Sequence, residues 1–557
     1  MQYSEWVVVK TNQEYLQYIS KSLNITIPTA QVLLSKGLKD IDEIYSFLNP
    51  NIDNIDPFEI TGIYEATKII DAAIKSETKI LINGDYDADG LTSTAILYDI
   101  LIKKGAKVFY HIPHRIQHGY GLSIRSIEEA KKIGAKLIIT VDCGIRDFEA
   151  VEYANKEGIG VIITDHHEPL RLNEEVVTPH ALAVINPKID GKPYYNYLAG
   201  VGVAFMLAMA LSREEALGYL DLVTLGTYAD MVPLIHANRT LIKHGWEMID
   251  SPVRNSIKML KNIAGINSNS IRGFHLSFCL IPRINAPGRI DQAGDVVRFL
   301  ISEDESELDS LSKWLNQINS MRQKTEEKIM AEVEEKLSKE FDDEPVIVLW
   351  GDWHPGVVGT VASKLMDKFN RPAFILSIQG EKAKGSARSP AGIDLQEFLN
   401  ASKDLLIRFG GHKQAAGMTL LKDNLYAFKE KLCLIAQEIV RDDKNILLLD
   451  AAVNLNEVTE KVAEEISLLE PFGEGNREPL FGAKELTVLN LRKVGNNHLK
   501  MFLRQNGNTI GAIGFDMGDA QILEGSLIDA AFTPSINEWE GMKSLQLQLK
   551  ALRRTQK

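Results

Sequence analysis

The chain has 557 residues, 45% of them hydrophobic and 25% charged, with a formal net charge of −13. This length allows about three to four domains, and the acidic balance excludes a protein that coats polyanions indiscriminately while permitting one local basic cleft. Cys143, Cys279 and Cys433 are too few and too scattered for a disulfide framework. The start MQYSEWVVVK lacks the basic and apolar regions of a signal peptide. The most apolar stretch, Ala199 to Leu211, is too short to cross a bilayer. A cytoplasmic protein with no membrane contact is expected.

Residues 1–60 read as an extension of helix and strand. From Lys79 to about Pro187, Val/Ile-rich runs (KILING, KVFYHI, AKLIITVD, GVIIT, ALAVINP) alternate with amphipathic helical stretches. That rhythm predicts βαβ units and a mostly parallel sheet in a domain over 61–300. Between Ser302 and Phe341 there is no Gly or Pro, and Leu308, Leu311, Leu315 and Ile318 recur at helical spacing. This segment, within 301–343, reads as a long connecting helix, with a coiled-coil partner helix as the alternative. A second α/β lobe is expected over 344–444, opening with the strand-loop-helix pattern PVIVLWGDWHPGVVG. Short alternating runs over 445–557 predict a small β-barrel.

The chemistry concentrates at strand ends. GDYDADG puts Asp85, Asp87 and Asp89 on alternate positions after the first strand. A calcium loop of the EF-hand type would need Glu at its twelfth position, which is Ile96 here, and a helix where a strand precedes. VDCG places Asp142 after the third strand, and TDHHE places Asp165, His166 and His167 after the fourth. Asp230 in YADMVPL is a further candidate. Ligands of parallel α/β sheets bind beyond the carboxyl ends of strands, so these side chains are expected on one side of the sheet. Asp165 reads as a supporting residue more than a ligand, and Cys143 as a small buried one. A donor set of carboxylates with one or two imidazoles favours Mn²⁺, or Mg²⁺, over structural zinc. Five or six such ligands point to two ions, an arrangement suited to in-line displacement at phosphorus.

Together GDYDADG, VDCG, TDHH and ADMVPL resemble the ordered motifs of the DHH phosphoesterase superfamily, and RFGGHKQAAG resembles the GGH motif of its DHHA1 domain. PRINAPGRI, GDWHPGVVG, GSARS and LEPFGEGNREPLF extend the likeness, over nearly the whole chain, to the bacterial single-strand-specific 5′→3′ exonucleases of that superfamily. The resemblance implies a catalytic DHH domain joined by a long helix to a DHHA1 domain in a ring-like arrangement, followed by an OB-fold. It implies Asp85, Asp87, Asp89, Asp142, His166 and Asp230 as the metal set. His167 would stand beside the scissile phosphate as proton donor or electrostatic stabiliser, making His166, His167 and Asp142 the catalytic group.

A 5′-terminal phosphate is best held by arginine forks and hydroxyls. Ser386 and Arg388 of GSARS match a family phosphate motif, with Arg289 or Arg283 opposite and Arg115 and Tyr120 nearby. His354 and the backbone at Gly410, Gly411 and His412 suit further phosphate contacts. In the barrel, Lys484, Arg492, Lys493, His498 and Lys500 cluster with Phe502, as a single-strand groove of cations and stacking rings would. Ala387 stands where relatives often have Gly, Arg477 where Pro is usual, and Asn83 where some place His. The expected activity is metal-dependent hydrolysis of single-stranded DNA from its 5′ end to 5′-mononucleotides, in recombination and repair. The expected protein partners are a helicase and a single-strand-binding protein, with the enzyme itself a monomer. Two rivals are a phosphodiesterase for short oligonucleotides or cyclic dinucleotides, which has no use for a long connector and barrel, and a non-catalytic replication scaffold, which would not keep every ligand position filled.

Overall fold

In the computed structural model, residues 5–115, 119–266, 271–340, 344–439, 446–495, 497–539 and 542–555 are described. Positions 116–118 of HRIQHGYGL and the expected domain junctions at 341–343 and 440–445 lie outside them. The chain divides into two compact units, Met1–Ile55 with Met231–His244 and Lys444–Lys557, and Asp56–Asp230 with Gly245–Asp443.

The larger unit opens with β1 (Lys79–Asn83), α1 (Ala88–Lys103), β2 (Lys107–His111), α2 (Ile124–Ile133), β3 (Leu137–Val141), α3 (Phe148–Lys156), β4 (Gly160–Thr164) and β5 (Ala183–Ile185). The five strands form one sheet in the order β2-β1-β3-β4-β5, and every pairing is parallel. Both faces are covered, so Ile80, Ile82, Ile138 and Ile139 are all nearly or fully buried. Burial of each such side chain is worth about 1.5–3 kcal/mol, which is why these strands are apolar on both faces. Strand order reverses between β1 and β3, the topological switch where α/β sheets leave a crevice beyond their carboxyl ends. Helices α4 (Gly200–Leu211) and α5 (Leu220–Ala229) pack on α1 and bury the apolar stretch noted above.

After α6 (Ile281–Ile290) comes α7 (Glu305–Glu340), 36 residues long and therefore about 54 Å at 1.5 Å per residue. Its early residues Leu308 and Leu315 are buried, and farther on Ile329 and Val333 join a core with Val357, Val358 and Val361. The helix connects the two lobes of this unit by packing on its own chain. The second lobe contains β6 (Ile347–Gly351), α8 (Val358–Phe369), β7 (Ala373–Gln379), β8 (Lys382–Arg388), β9 (Leu406–Gly411) and β10 (Ala415–Leu421). These strands form a mixed sheet in the order β9-β10-β8-β7-β6, with only β6 and β7 parallel.

The smaller unit is built on a closed barrel of β11 (Phe481–Val494), β12 (His498–Gln505), β13 (Asn508–Gly514), β14 (Leu527–Trp539) and β15 (Met542–Arg554). The order β11-β12-β13-β15-β14 is closed by pairing β14 with β11. Its core takes in N-terminal residues such as Leu16, Val32 and Ile44. Met231–His244, read from sequence as part of the 61–300 domain, also packs in this unit. Its Arg239 is only 2% exposed and donates to the carbonyls of Phe47, Leu468 and Leu469, with the guanidinium 3.7 Å from the Phe47 ring centroid. Arg477, one of the departures from the family pattern, is anchored by the buried Asp450 at 2.8 Å. Among the described residues no helix is long and apolar enough to cross a membrane.

Candidate active site

The loop after β1 is shaped by its own aspartates. Asp87 caps α1 by accepting the backbone N–H groups of Asp89 and Gly90 through a single oxygen, Oδ1, at 3.0 and 3.1 Å. Asp89 turns back to α4, where its two oxygens accept the N–H groups of Gly200 and Val201, each at 2.7 Å. A carboxylate is well placed at a helix N-terminus, whose first N–H groups have no partner within the helix. Asp142 leaves β3 with φ of 58°, a left-handed conformation that a non-glycine residue adopts at a cost and that is often found at functional sites.

His166 lies at the centre of the converging carboxylates. Its Nε2 is 3.2 Å from Asp142 Oδ1, 3.6 Å from Asp230 Oδ2 and 3.8 Å from Asp89 Oδ2. Three trios, Asp85–Asp87–Asp142, Asp89–His166–Asp230 and Asp142–His166–His167, each bring their ligand atoms within 4.8 Å of one another. Asp85 Oδ1, Asp142 Oδ1 and His166 Nε2 are buried without any hydrogen-bond partner. Buried polar atoms are normally satisfied, so three orphans distributed over these trios fit divalent cations.

The electrostatics agree. Burial, then Asp87, pushes the Asp85 carboxyl well above the usual range, and the same causes bring Asp89 up to about 7. Burial followed by Asp89 raises Asp142 and Asp230 in the same way. Burial and the neighbouring His167 charge hold His166 well below its ordinary value, leaving it the neutral imidazole that ligates metals.

His167 is oriented differently. Its Nδ1 is 2.8 Å from Asp165 Oδ1 and 3.0 Å from the Tyr120 hydroxyl, which donates to the Asp142 carbonyl at 2.8 Å. Burial alone would lower its pKa, but the hydrogen bond and charge of Asp165 raise it above the ordinary imidazole value. Burial would raise Asp165, yet His167 holds it at about 2. Asp165 also accepts from the backbone of Ile145, His166 and His167.

A group of arginines adjoins this centre. Arg115 lies over the Tyr86 ring at 5.2 Å. Burial, then the charges of Arg115, Arg322 and Arg388, lowers Arg289 to about 10. Burial and Arg115 also lower Arg388. Ser386 Oγ and Arg388 Nη2 lie 3.3 and 3.6 Å from the position a Cβ would take on Gly359, in the first turn of α8. Arginines that raise one another's energy beside a helix N-terminus are chemically suited to an anion.

His354 accepts from the backbone N–H of Gly356 at 3.2 Å, in a loop so close to α6 that a Cβ on Gly356 would lie 1.9 Å from the Arg289 carbonyl oxygen. Gly410 and Gly411 end β9, and at the solvent-accessible His412 partial desolvation, then the charge of His167, lowers the pKa. Arg283 does not join the cluster. It donates to the Cys279 and Ile263 carbonyls and to Asn316 Oδ1, so of the two arginines weighed for this place only Arg289 faces the others.

Several supports escaped the sequence reading. Asn285 Oδ1 accepts the Ala88 N–H at 2.7 Å, tying α6 to the start of α1. A Cβ at Gly288 would lie 2.1 Å from the Tyr86 carbonyl oxygen, so only glycine lets α6 approach the aspartate loop there. Asn186 donates to the His167 carbonyl at 2.9 Å. The NAPG core of PRINAPGRI was the available signal for the first two, and nothing local marked Asn186.

Residues 79–227 match the DHH family N-terminal domain, 343–438 the DHHA1 domain and 449–551 the RecJ OB domain. The chain is 38% identical over 556 residues to the single-stranded-DNA-specific exonuclease RecJ of Bacillus subtilis (strain 168), covering 98% of this chain and 70% of that protein. It superposes on RecJ from Thermus thermophilus in complex with Mn²⁺ with a TM-score of 0.86 at 30% identity, covering 99% of this chain and 80% of the other. The complex of that protein with Mg²⁺ gives a TM-score of 0.79 at 29% identity, covering 99% and 79%.

Proposed function

Since the chain belongs to the RecJ family, we propose that it is a single-stranded-DNA-specific 5′→3′ exonuclease, hydrolysing phosphodiester bonds with two divalent ions, Mn²⁺ in preference to Mg²⁺. The observation that carries this reading is the convergence of the partnerless buried atoms of Asp85, Asp142 and His166. Asp85, Asp87 and Asp142 would hold one ion, and Asp89, His166 and Asp230 the other. Bound there, the ions supply Lewis-acid chemistry, making water acidic and neutralising charge on phosphoryl oxygens.

The remaining tasks fall to the chain. Arg289, Arg388, Arg115 and Ser386 hold the 5′-terminal phosphate, so that the bond presented to the metal centre lies one nucleotide inward and the product is a 5′-mononucleotide. His167, its imidazolium favoured by Asp165 and aimed by Tyr120, donates a hydrogen bond or a proton at the scissile phosphate. His412 and the Gly410–Gly411 backbone contact a phosphate from the second lobe. His354 shapes the loop that faces Arg289.

On the barrel, β12 turns His498, Lys500, Phe502 and Arg504 to the outer face, with Arg492 opposite Lys500 across the ladder. Phe502 is 44% exposed. This row supports a single-strand track of cations and a stacking ring. An enzyme confined to single strands calls for a helicase to open duplex and for traffic with a single-strand-binding protein. The cradle is complete within one chain, which supports a monomer. The test uses single-stranded and blunt duplex DNA labelled at the 3′ end, with Mn²⁺ or chelator. A descending ladder from the single strand alone, lost with chelator, is expected. An intact long strand beside hydrolysed dinucleotides would overturn the reading.

A further inference from the structure

Three in-register rows cross the face of the second-lobe sheet on which α8 packs, the helix meeting it at Ser386. Arg388 pairs with Ala415, whose carbonyl accepts the His412 N–H at 2.7 Å. Next come Ser386, Gly417 and Gly410, then Lys384, Thr419 and Arg408. The first row ends at His412, which feels the charge of His167, and the rows follow one another along the strands at intervals of two residues. The middle row is nearly bare backbone. A Cβ on Gly410 would meet nothing within 4 Å, and one on Gly417 only a carbonyl oxygen at 3.9 Å.

The third row is cationic and unspent. Among the described residues neither Lys384 nor Arg408 has an ion-pair or hydrogen-bond partner, although both stand on the same face as the terminal-phosphate cluster. Partial burial, then Arg115 and Arg408, lowers the Lys384 pKa, so three like charges face one another there as well. Two residues along an antiparallel strand advance about 6.8 Å, a gap that long Lys and Arg side chains close easily.

We propose that Lys384 and Arg408, flanking Thr419, form a second phosphate subsite that takes the extra phosphoryl groups of a 5′-di- or triphosphate end. The proposal rests on the exonuclease reading. A monophosphate end fills the Arg289–Arg388–Ser386 cluster, and further phosphates can extend only away from the scissile bond, over the glycine row toward the third. Hydrolysis of the first internal bond then adds water across phosphorus and the 3′-oxygen. The nucleoside 5′-triphosphate leaves with its 3′-hydroxyl, and the shortened strand keeps a 5′-monophosphate.

The test compares single strands of one sequence carrying a 5′-monophosphate or a 5′-triphosphate, with the full chain and Mn²⁺, following the first product by chromatography. The wild type is expected to degrade both and to release a nucleoside triphosphate first from the second strand. In the double variant Lys384→Ala/Arg408→Ala, kcat/KM on the triphosphate strand should fall about tenfold or more while the monophosphate strand stays within about twofold. Equal losses on both strands would assign the pair to the strand's own backbone and overturn the proposal. So would no loss on either, or a wild type active on the monophosphate strand alone. Inactivity on the monophosphate strand itself brings down the exonuclease reading, and this proposal with it.

Discussion

Gly200 and Asp142 are packed so closely that a Cβ on Gly200 would lie 2.6 Å from both the Cβ and Oδ1 of Asp142. The same glycine donates its N–H to Asp89, so one position without a side chain sets two of the converging carboxylates. Gly200→Ala removes no proposed ligand. It should nevertheless weaken metal binding and lower kcat by about 10–100-fold, the usual cost of disturbing a residue that orients ligands. Calorimetric titration with Mn²⁺ reads the first effect directly, and wild-type affinity in this variant would mean that Asp142 relaxes without consequence.

Asp142 itself touches His166 and carries one of the orphaned oxygens. Asp142→Ala should lower cleavage by on the order of 10³-fold or more, while single-strand binding, which depends on the arginine cluster and the barrel, stays close to wild type. Anisotropy of a labelled strand measured beside the cleavage assay separates the two. Lost binding with retained cleavage contradicts the assignment.

The parts of this site that could be read from sequence are those in which the chain signals locally. The β1, β3 and β4 runs announce themselves by composition, and Asp85, Asp142 and His166 follow their ends. The supports are long-range. Asn285 lies 197 positions from Ala88 in the chain, and only the folded packing of α6 on α1 joins them. Arg283 and Arg289 share one motif and one helix, so sequence offered them as equals. The turn of the helix sends the first to carbonyls and Asn316 and the second toward Arg115 and Arg388. The segment Met231–His244 carries an apolar face that any core could bury, and periodicity alone does not say which.

The Tyr120 hydroxyl sits between His167 and the Asp142 carbonyl, which suits a residue that aims the imidazole as well as one that meets substrate. Tyr120→Phe keeps the ring against His167 but frees the imidazole to turn. A 10–100-fold fall in kcat with little change in KM is expected, roughly the cost of losing a residue that orients a functional group. A rise in KM with unchanged kcat would return Tyr120 to substrate binding.

For Arg388→Ala, the reading is the ratio of activity on 5′-phosphorylated to 5′-hydroxyl strands. Loss of a charged hydrogen bond costs about 1.5–3 kcal/mol, so the preference should shrink by about 10–100-fold. An unchanged ratio would move the terminal phosphate to other residues.

Metal binding should be linked to protons with a definite sign. In the metal-free chain, burial and mutual repulsion raise the pKa of Asp85, Asp142 and Asp230 well above the carboxylate range and that of Asp89 to about 7. Asp89 therefore still holds a proton in part of the population just below neutral pH. A divalent ion binds the carboxylate form, so its uptake expels that proton, and affinity must rise with pH while any remains bound. Because these pKa values lie above the unfolded ones, the metal-free chain is also stabilised at low pH relative to high. For Asp89 that advantage disappears as pH rises from about 4 through about 7. Calorimetry of Mn²⁺ binding in buffers of different ionisation enthalpy counts the protons released. The expected result at about pH 6.5 is a net proton release that declines toward about pH 8.5, with tighter binding at the higher pH. No proton release, with affinity independent of pH across this range, would show that the carboxylates are already ionised before the ion arrives.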